Sequence, residues 1–257
     1  MNVDSGASRA SSSSPALPDS PGTGVFATTH WSVVLSALDK ESKVSADALE
    51  QLCRVYWFPL YAYARRVSNN PADAEDLTQG FFAKLLQKDY LRSAARDKGR
   101  FRTFLLTALQ RFMANEWDRQ HAVKRGGFTP VISIDQELAE NRFAAEPALG
   151  LRPDTLFDRH WALALLEQTM TQLREEYVTS GRAALFELLQ NCLTQDEAAL
   201  PYKEVAARLN STEAAVKMAM SRLRARYREV LRLQIAQTVT SEAEVEDEVR
   251  HLFSAFS

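Results

Sequence analysis

Only two cysteines and four histidines occur in the 257 residues, which leaves little room for several kinds of chemistry. Cys53 and Cys192 lie far apart in apolar helical patterns and form no Cys-x-x-Cys pair. That excludes a disulfide framework and a zinc knuckle, and it predicts two buried, reduced thiols in a cytoplasmic protein. His30, His121, His160 and His251 have no ligand spacing, so no metal is expected. There is no glycine-rich phosphate loop and no nucleophile motif. The chain is therefore not expected to be an enzyme or to use a cofactor or a small-molecule substrate. No run of about 18 apolar residues could span a membrane. The N-terminus lacks the basic stretch and apolar core of a secretion signal. Glycine and proline are sparse, at nine each. The net charge of only −2 argues against indiscriminate coating of nucleic acid and allows local binding at most.

What is present is helical periodicity. The chain is expected to be all-α, with two small helical domains joined by a linker. Residues 1–26, rich in Ser, Pro, Gly and Ala, are expected to be a disordered tail. A first domain is assigned to 27–125. It starts with a short helix carrying Trp31, Val34, Leu35 and Leu38, followed by helices at about Ala46–Val67, Asp73–Gln87 and Phe101–His121. Pro59 falls inside the first of these three, where it is expected to kink it. The polar stretch Lys88–Arg100 reads as a loop. Residues 126–155 read as a linker that docks on other surfaces, with Val131–Ile134 extended. A second domain is assigned to 156–235, with helices at about Leu156–Tyr177 and Ala183–Cys192 and a hairpin. An acidic helical extension completes the chain at 236–257.

The stretch 202–228 is the most informative. It reads as a short helix, a tight turn and a second helix that becomes strongly basic, the layout of a helix-turn-helix that reads duplex DNA. Val205, Ala206 and Leu209 share a face of the first helix, with small Ala206 where two crossing helices come close. Asn210 can adopt the left-handed conformation that ends a helix. Ser211 or Thr212 can cap the second helix, whose apolar face is Val216, Ala219 or Met220, Leu223 and Tyr227. The face left over carries Glu213, Ala214, Lys217, Met218, Ser221, Arg222 and Arg224, which supplies donors for base edges and cations for phosphates. Between Lys203 and Arg232 eight Lys and Arg stand against three acidic residues, a net of +5.

Two further stretches stand out. Asp73, Glu75 and Asp76 favour the positive end of a helix dipole, and Leu77, Phe81 and Leu85 share that helix's apolar face. Downstream, Arg96, Lys98, Arg100, Phe101, Arg102 and Phe104 interleave cations with aromatics, and Gln110, Arg111, Phe112, Asn115, Trp117, Asp118 and Arg119 follow. Such interleaving suits single-stranded nucleic acid, because bases stack while cations track the backbone. Residues 96–125 also carry a net of +5. In contrast, 241–256 carries five acidic residues against Arg250, a net of −4, with Val245, Val249, Leu252 and Phe253 on one face. This stretch reads as a helix packing on its own domain, as an acidic cover over the basic hairpin, or as a docking helix for a partner.

An acidic Asp-Ala-Glu-Asp-Leu-x-Gln helix, a Phe-Arg-x-Phe-Leu helix, a linker and a C-terminal helix-turn-helix, in that order, resemble a bacterial RNA polymerase sigma factor of the extracytoplasmic-function class. The resemblance covers roughly 27–235. It implies a non-catalytic protein that docks on core RNA polymerase and brings promoter DNA to it. Asp73, Asp76 and Gln79 then fall in the polymerase-binding helix. Gly80 stands where the family usually has Glu. Arg96, Lys98, Arg100 and Phe101, with Asn115, Asp118 and Arg119 in the following helix, fall where the family meets the −10 element. Phe104 replaces a usual Trp. Thr212, Lys217, Ser221, Arg222 and Arg224 fall where the −35 element is read. Core polymerase and promoter DNA are the implied partners, and the resemblance leaves an anti-sigma factor open as a third. The residues also leave open a transcription regulator that uses the hairpin and has an N-terminal helical interaction domain without any polymerase role.

Overall fold

The computed structural model describes residues 43–85, 100–122, 136–144, 150–193, 200–239 and 241–256. The expected tail 1–26, the helix around Trp31, most of the Lys88–Arg100 loop and the extended Val131–Ile134 lie outside the described residues. Nine helices and no strand occur among those described: α1 Lys43–Ser68, α2 Pro71–Leu85, α3 Phe101–Ala122, α4 Gln136–Ala144, α5 Pro153–Thr179, α6 Ala183–Leu193, α7 Tyr202–Arg208, α8 Glu213–Ala236 and α9 Glu242–Ser254. The all-α expectation holds.

Two apolar cores organise these helices. The first gathers Tyr56, Leu60 and Tyr61 of α1, Phe81, Phe82 and Leu85 of α2, and Phe101, Leu105, Leu109 and Phe112 of α3. The second gathers Phe186 and Leu189 of α6, Val205 and Ala206 of α7, and Val216, Met220 and Leu223 of α8. Each fully buried side chain of this size contributes about 1.5–3 kcal/mol relative to exposure. The cations of α7 and α8 other than the half-buried Arg226 are exposed, so the apolar face expected of the hairpin is the one observed.

Two long helices serve both cores. The first half of α5 gives Phe157, Trp161 and Leu165 to the first core, and its second half gives Leu173 and Tyr177 to the second. Likewise α8 gives Val216 to Val230 to the second core and Leu231 and Ile235 to the first. The two helices are tied to each other by a two-pronged pair, Arg226 Nε to Glu176 Oε2 at 2.8 Å and Nη2 to Oε1 at 2.8 Å. Gln234, about two turns further along α8, adds a 2.7 Å bond to Gln172. The Arg226 hydrogen bonds hold the Glu176 carboxyl below the ordinary range, against the opposing effect of its partial burial.

Within the range expected as a linker, α4 docks on α1. Glu140 accepts from the Tyr61 hydroxyl at 2.6 Å and from Arg65 Nε at 2.8 Å. Burial pushes the Glu140 carboxyl up, but the bonds from Tyr61 and Arg65 outweigh it and leave it below its ordinary value. Pro59 is accommodated without a break, since α1 is continuous from Lys43 to Ser68.

Helix α9 packs by Val245 and Leu252 into the first core. Phe253, expected on the same face, is 56% exposed, whereas Glu248 is fully buried. The reason is a partner distant in sequence. Glu248 Oε1 accepts from Arg102 Nε at 2.5 Å and its Oε2 lies 3.3 Å from Arg100 Nε. Arg102 also donates to Asp158 at 2.8 Å and lies 5.2 Å over the Trp161 ring. The remaining acids of α9 include Asp247, 3.7 Å from Arg100, and Glu246, which pairs with Arg232. The acidic-cover reading is therefore corrected in its main part: Glu248 and Asp247 hold arginines at the first core, and Glu246 meets the basic stretch at its last cation, Arg232, and not at the exposed cations near the turn.

Candidate functional site

The acidic helix α2 begins sharply because two asparagines divide the work of ending one helix and starting the next. Asn69 takes φ 59° and its N–H reaches the Arg65 carbonyl at 3.1 Å, which closes α1. Asn70 Oδ1 accepts from Ala72 N at 3.1 Å, and Pro71 fills the first helical position, where its missing N–H costs nothing. Asp73 is exposed but accepts from Asn70 Nδ2 at 3.0 Å, so it belongs to the turn as well as to the acidic face. Asp76 is exposed. Gln79 is half-buried and donates to Glu75 at 2.8 Å. Burial first, and then the Asp76 carboxylate, push the Glu75 carboxyl above its ordinary value. Gly80 is buried beside Phe81 and Phe82. It sits on the packed side of α2, so a glutamate there would start from a buried backbone position and not from the acidic face.

Helix α3 separates its residues by face. Phe101 is fully buried, edge-on to Tyr56 at 5.4 Å, with its N–H bonded to the Thr238 carbonyl at 2.9 Å. Its assignment as a DNA contact is corrected: it is a core residue, packed with Tyr56 and Leu105 in the first core. Arg100 is partly exposed and faces Glu248 and Asp247. Arg96 and Lys98 lie outside the described residues. Asn115, Asp118 and Arg119 are exposed on one side of the helix, together with Arg111. Glu116 is buried and holds Arg119 at 2.9 Å. Trp117 is 65% exposed beside them. An indole in a basic helix was the available signal for this residue, which the candidate set omitted.

The turn between α7 and α8 is a Schellman ending. Asn210 takes φ 49°, as expected of an asparagine standing in for glycine. Ser211 N reaches the Ala206 carbonyl at 2.9 Å and Asn210 N the Ala207 carbonyl at 3.3 Å, which satisfies the last carbonyls of α7. Thr212 then caps α8, its hydroxyl accepting from Ala215 N at 3.2 Å. The Thr212 oxygen is thus committed to the helix start.

On α8, Lys217, Ser221, Arg222 and Arg224 are all exposed. Lys217, Ser221, Arg224 and Arg228 recur every three or four residues along one flank. With Tyr202 and Met220 they line an open groove of about 270 Å³. Lys217 also pairs with Glu213 at 2.7 Å, and that hydrogen bond raises the Lys217 ammonium above its ordinary value. Arg222 and the 58% exposed Met218 lie on the opposite flank. Tyr202 and Arg228 were not among the sequence candidates. The i, i+4, i+7, i+11 spacing from Lys217 to Arg228 is the signal that could have found the latter. Arg226 is drawn away from both flanks by Glu176.

Among the described residues, no group of three or more His, Cys, Asp and Glu is placed to hold a metal ion, and no helix is long and apolar enough to cross a membrane.

Residues 58–123 match the family model for sigma-70 region 2. The matched span runs from the middle of α1 to the end of α3 and takes in Asp73, Asp76, Gln79 and every candidate −10 residue. A comparison with curated proteins and another with solved structures returned no match. The chain thus carries a sigma-70 region 2, which supports a sigma-70 family factor. Such factors bind RNA polymerase, take part in promoter melting and are not enzymes.

Proposed function

We propose that the chain is a sigma factor of the extracytoplasmic-function class that reads two promoter elements. It would act in the cytoplasm, with core polymerase. Asp76 and Gln79, positioned by the asparagine turn, dock α2 on the polymerase, with Asp73 steadying that turn. The exposed side of α3, with Asn115, Asp118, Arg119 and Trp117, receives unstacked bases of the −10 element. Arg96, Lys98 and Arg100 supply cations to its backbone. The α7–α8 hairpin reads the −35 duplex. Its groove flank, with Lys217, Arg224 and Arg228, grips a run of phosphates. Its opposite flank, with Arg222, meets base edges. Stacking on an exposed indole contributes about 1–3 kcal/mol per base, which offsets part of the cost of opening the duplex.

The observation that carries this reading is a sigma-70 region 2 followed, on the same chain, by a helix–turn–helix whose Lys217, Arg222, Arg224 and Arg228 are all exposed. A regulator with no polymerase role would have no use for the first of these. The test is co-purification with core polymerase followed by run-off transcription. Asp76→Ala with Gln79→Ala should abolish co-purification and leave DNA binding by the hairpin in place. If the unaltered chain fails to bind core polymerase, the sigma reading falls and the regulator reading replaces it.

A further inference from the structure

Within 202–228, Met218 is the one large apolar side chain left in solvent, at 58% exposed. Singly exposed apolar residues are ordinary on any surface, so its place on α8 is what decides. Val216, Met220 and Leu223 define the direction in which α8 packs on the second core. At about 100° per residue, Met218 lies within about 15° of the opposite direction. Arg222 lies about 50° to one side of that line, and Lys217, Arg224 and Arg228 lie about 65–110° to the other. The outermost ridge of the helix is therefore uncharged. It consists of Ala214, Met218, Ser221 and Ala225, all exposed, and cations stand on both sides of it.

That order matches the cross-section of a major groove. The groove is about 12 Å wide and a helix with its side chains about 10–12 Å across, so the ridge meets base edges while the sides meet the phosphate walls. Ala214 one turn before and Ser221 one turn after are shorter, so Met218 reaches furthest in. A thioether offers no donor and only a weak acceptor. Set against the polar edge of A, G or C, it would leave donors or acceptors without partners. The C5 methyl of thymine is the one apolar group among the base edges of that groove. An unbranched methionine with three rotatable bonds adapts its contact to such a methyl.

Resting on the reading of the hairpin as the −35 reader, we propose that Met218 is a specificity-determining residue. It selects thymine at one position of the −35 duplex by packing on its C5 methyl. The cations of the groove flank fix the register of the helix on the phosphates, and Arg222 reads a separate base pair one turn further on.

The test starts with the full chain, alone and with core polymerase, selecting from random duplexes whose bound members are sequenced. The preferred sequence should contain a T·A pair that tolerates no replacement. In the selected duplex each thymine is then changed to deoxyuridine, which removes the methyl and keeps the pairing. At one position this should weaken binding about fourfold, the equivalent of the ~0.8 kcal/mol of a buried methyl. With Met218→Ala that ratio should fall to about one, whereas with Arg228→Ala, which weakens all binding, it should stay at about four. Because Met218 is exposed, the alanine variant should keep the urea midpoint of the parent. A selected sequence without thymine, or a deoxyuridine penalty at no position, overturns the assignment and leaves −35 reading by the hairpin standing. A penalty that survives Met218→Ala gives the methyl to another side chain and overturns it as well. If no duplex is selected in either condition, the −35 reading itself fails and the assignment falls with it.

Discussion

Residues 96–125 and 203–232 carry the same net charge, +5, and use it in opposite ways. In the first stretch Arg102 is buried and Arg100 partly covered, both against acids of α5 and α9, and Arg119 leans on Glu116. In the second, Lys217, Arg222, Arg224 and Arg228 are exposed, whereas Arg226 and Arg232 are engaged by acids distant in sequence, Glu176 and Glu246. A charge count therefore reports how many cations a stretch has, not whether they are available. Availability is decided by which acids the fold brings back to them.

The sharpest way to break this contrast is at Arg102. Arg102→Met leaves Glu248 buried without its closest partner, and loss of one member of a buried pair costs about 3–5 kcal/mol. Urea unfolding should show that loss. The double change Arg102→Met with Glu248→Leu should recover most of it, since neither charge is then stranded. A loss under about 1 kcal/mol in the single variant would show that the two stretches are less different than the structure makes them.

His160 tests the same inward-facing core by pH. It is buried and edge-on to Phe58 at 4.7 Å. Burial first, then Arg142 and Arg159, lower its imidazole to about 4. The unfolded chain takes up a proton near the ordinary value of about 6.5 while the folded one does not, so stability is full above that pH and falls as the pH drops toward 4. The loss attributable to His160 reaches about 3 kcal/mol at 1.36 kcal/mol per pH unit. In His160→Gln the slope of stability against pH between these limits should flatten. A slope as steep as in the parent would place the titration elsewhere.

The outward-facing stretch is sharpened by comparing its two flanks. Arg222→Ala should cost about 1–3 kcal/mol of discrimination between a selected −35 duplex and a scrambled one. Arg228→Ala should weaken both duplexes alike and lower the slope of log affinity against log salt by about 0.9. Equal loss of discrimination from both changes would erase the distinction between base-facing and phosphate-facing flanks.

Much of this was legible where the determining contacts are local. The spacing of Val205, Ala206 and Leu209 and of Val216, Met220 and Leu223 identified the buried faces of α7 and α8, and Asn210 announced the left-handed turn between them. What could not be read depends on partners far along the chain. Glu248 looked like one more solvated acid because the arginine it meets is 146 residues away. Phe101 fitted both a helical core and a stacking platform, because interleaved charge does not say which way the rings point. The apolar positions of α5 recur every four residues and drift around the helix, leaving Trp161 and Tyr177 about 160° apart, but the cores those two sides meet are built by helices far along the chain.

The smallest expected effect concerns a device that both regions share. Asn69 and Asn210 each hold a left-handed backbone, φ 59° and 49°, at the end of the helix that precedes a functional one. Alanine pays about 1–2 kcal/mol for that conformation, whereas asparagine pays less and glycine almost nothing. Asn210→Ala should therefore destabilise the second core by about 1 kcal/mol, and Asn210→Gly should be near neutral. At position 69 the alanine cost should be larger, because the next residue, Asn70, caps α2 through Ala72 N and Asp73, and a shifted turn disturbs both bonds. Denaturant midpoints of the three variants would measure this. If Asn69→Ala is the milder of the two, the cap at Asn70 does not depend on the turn before it, and α2 sets its own start.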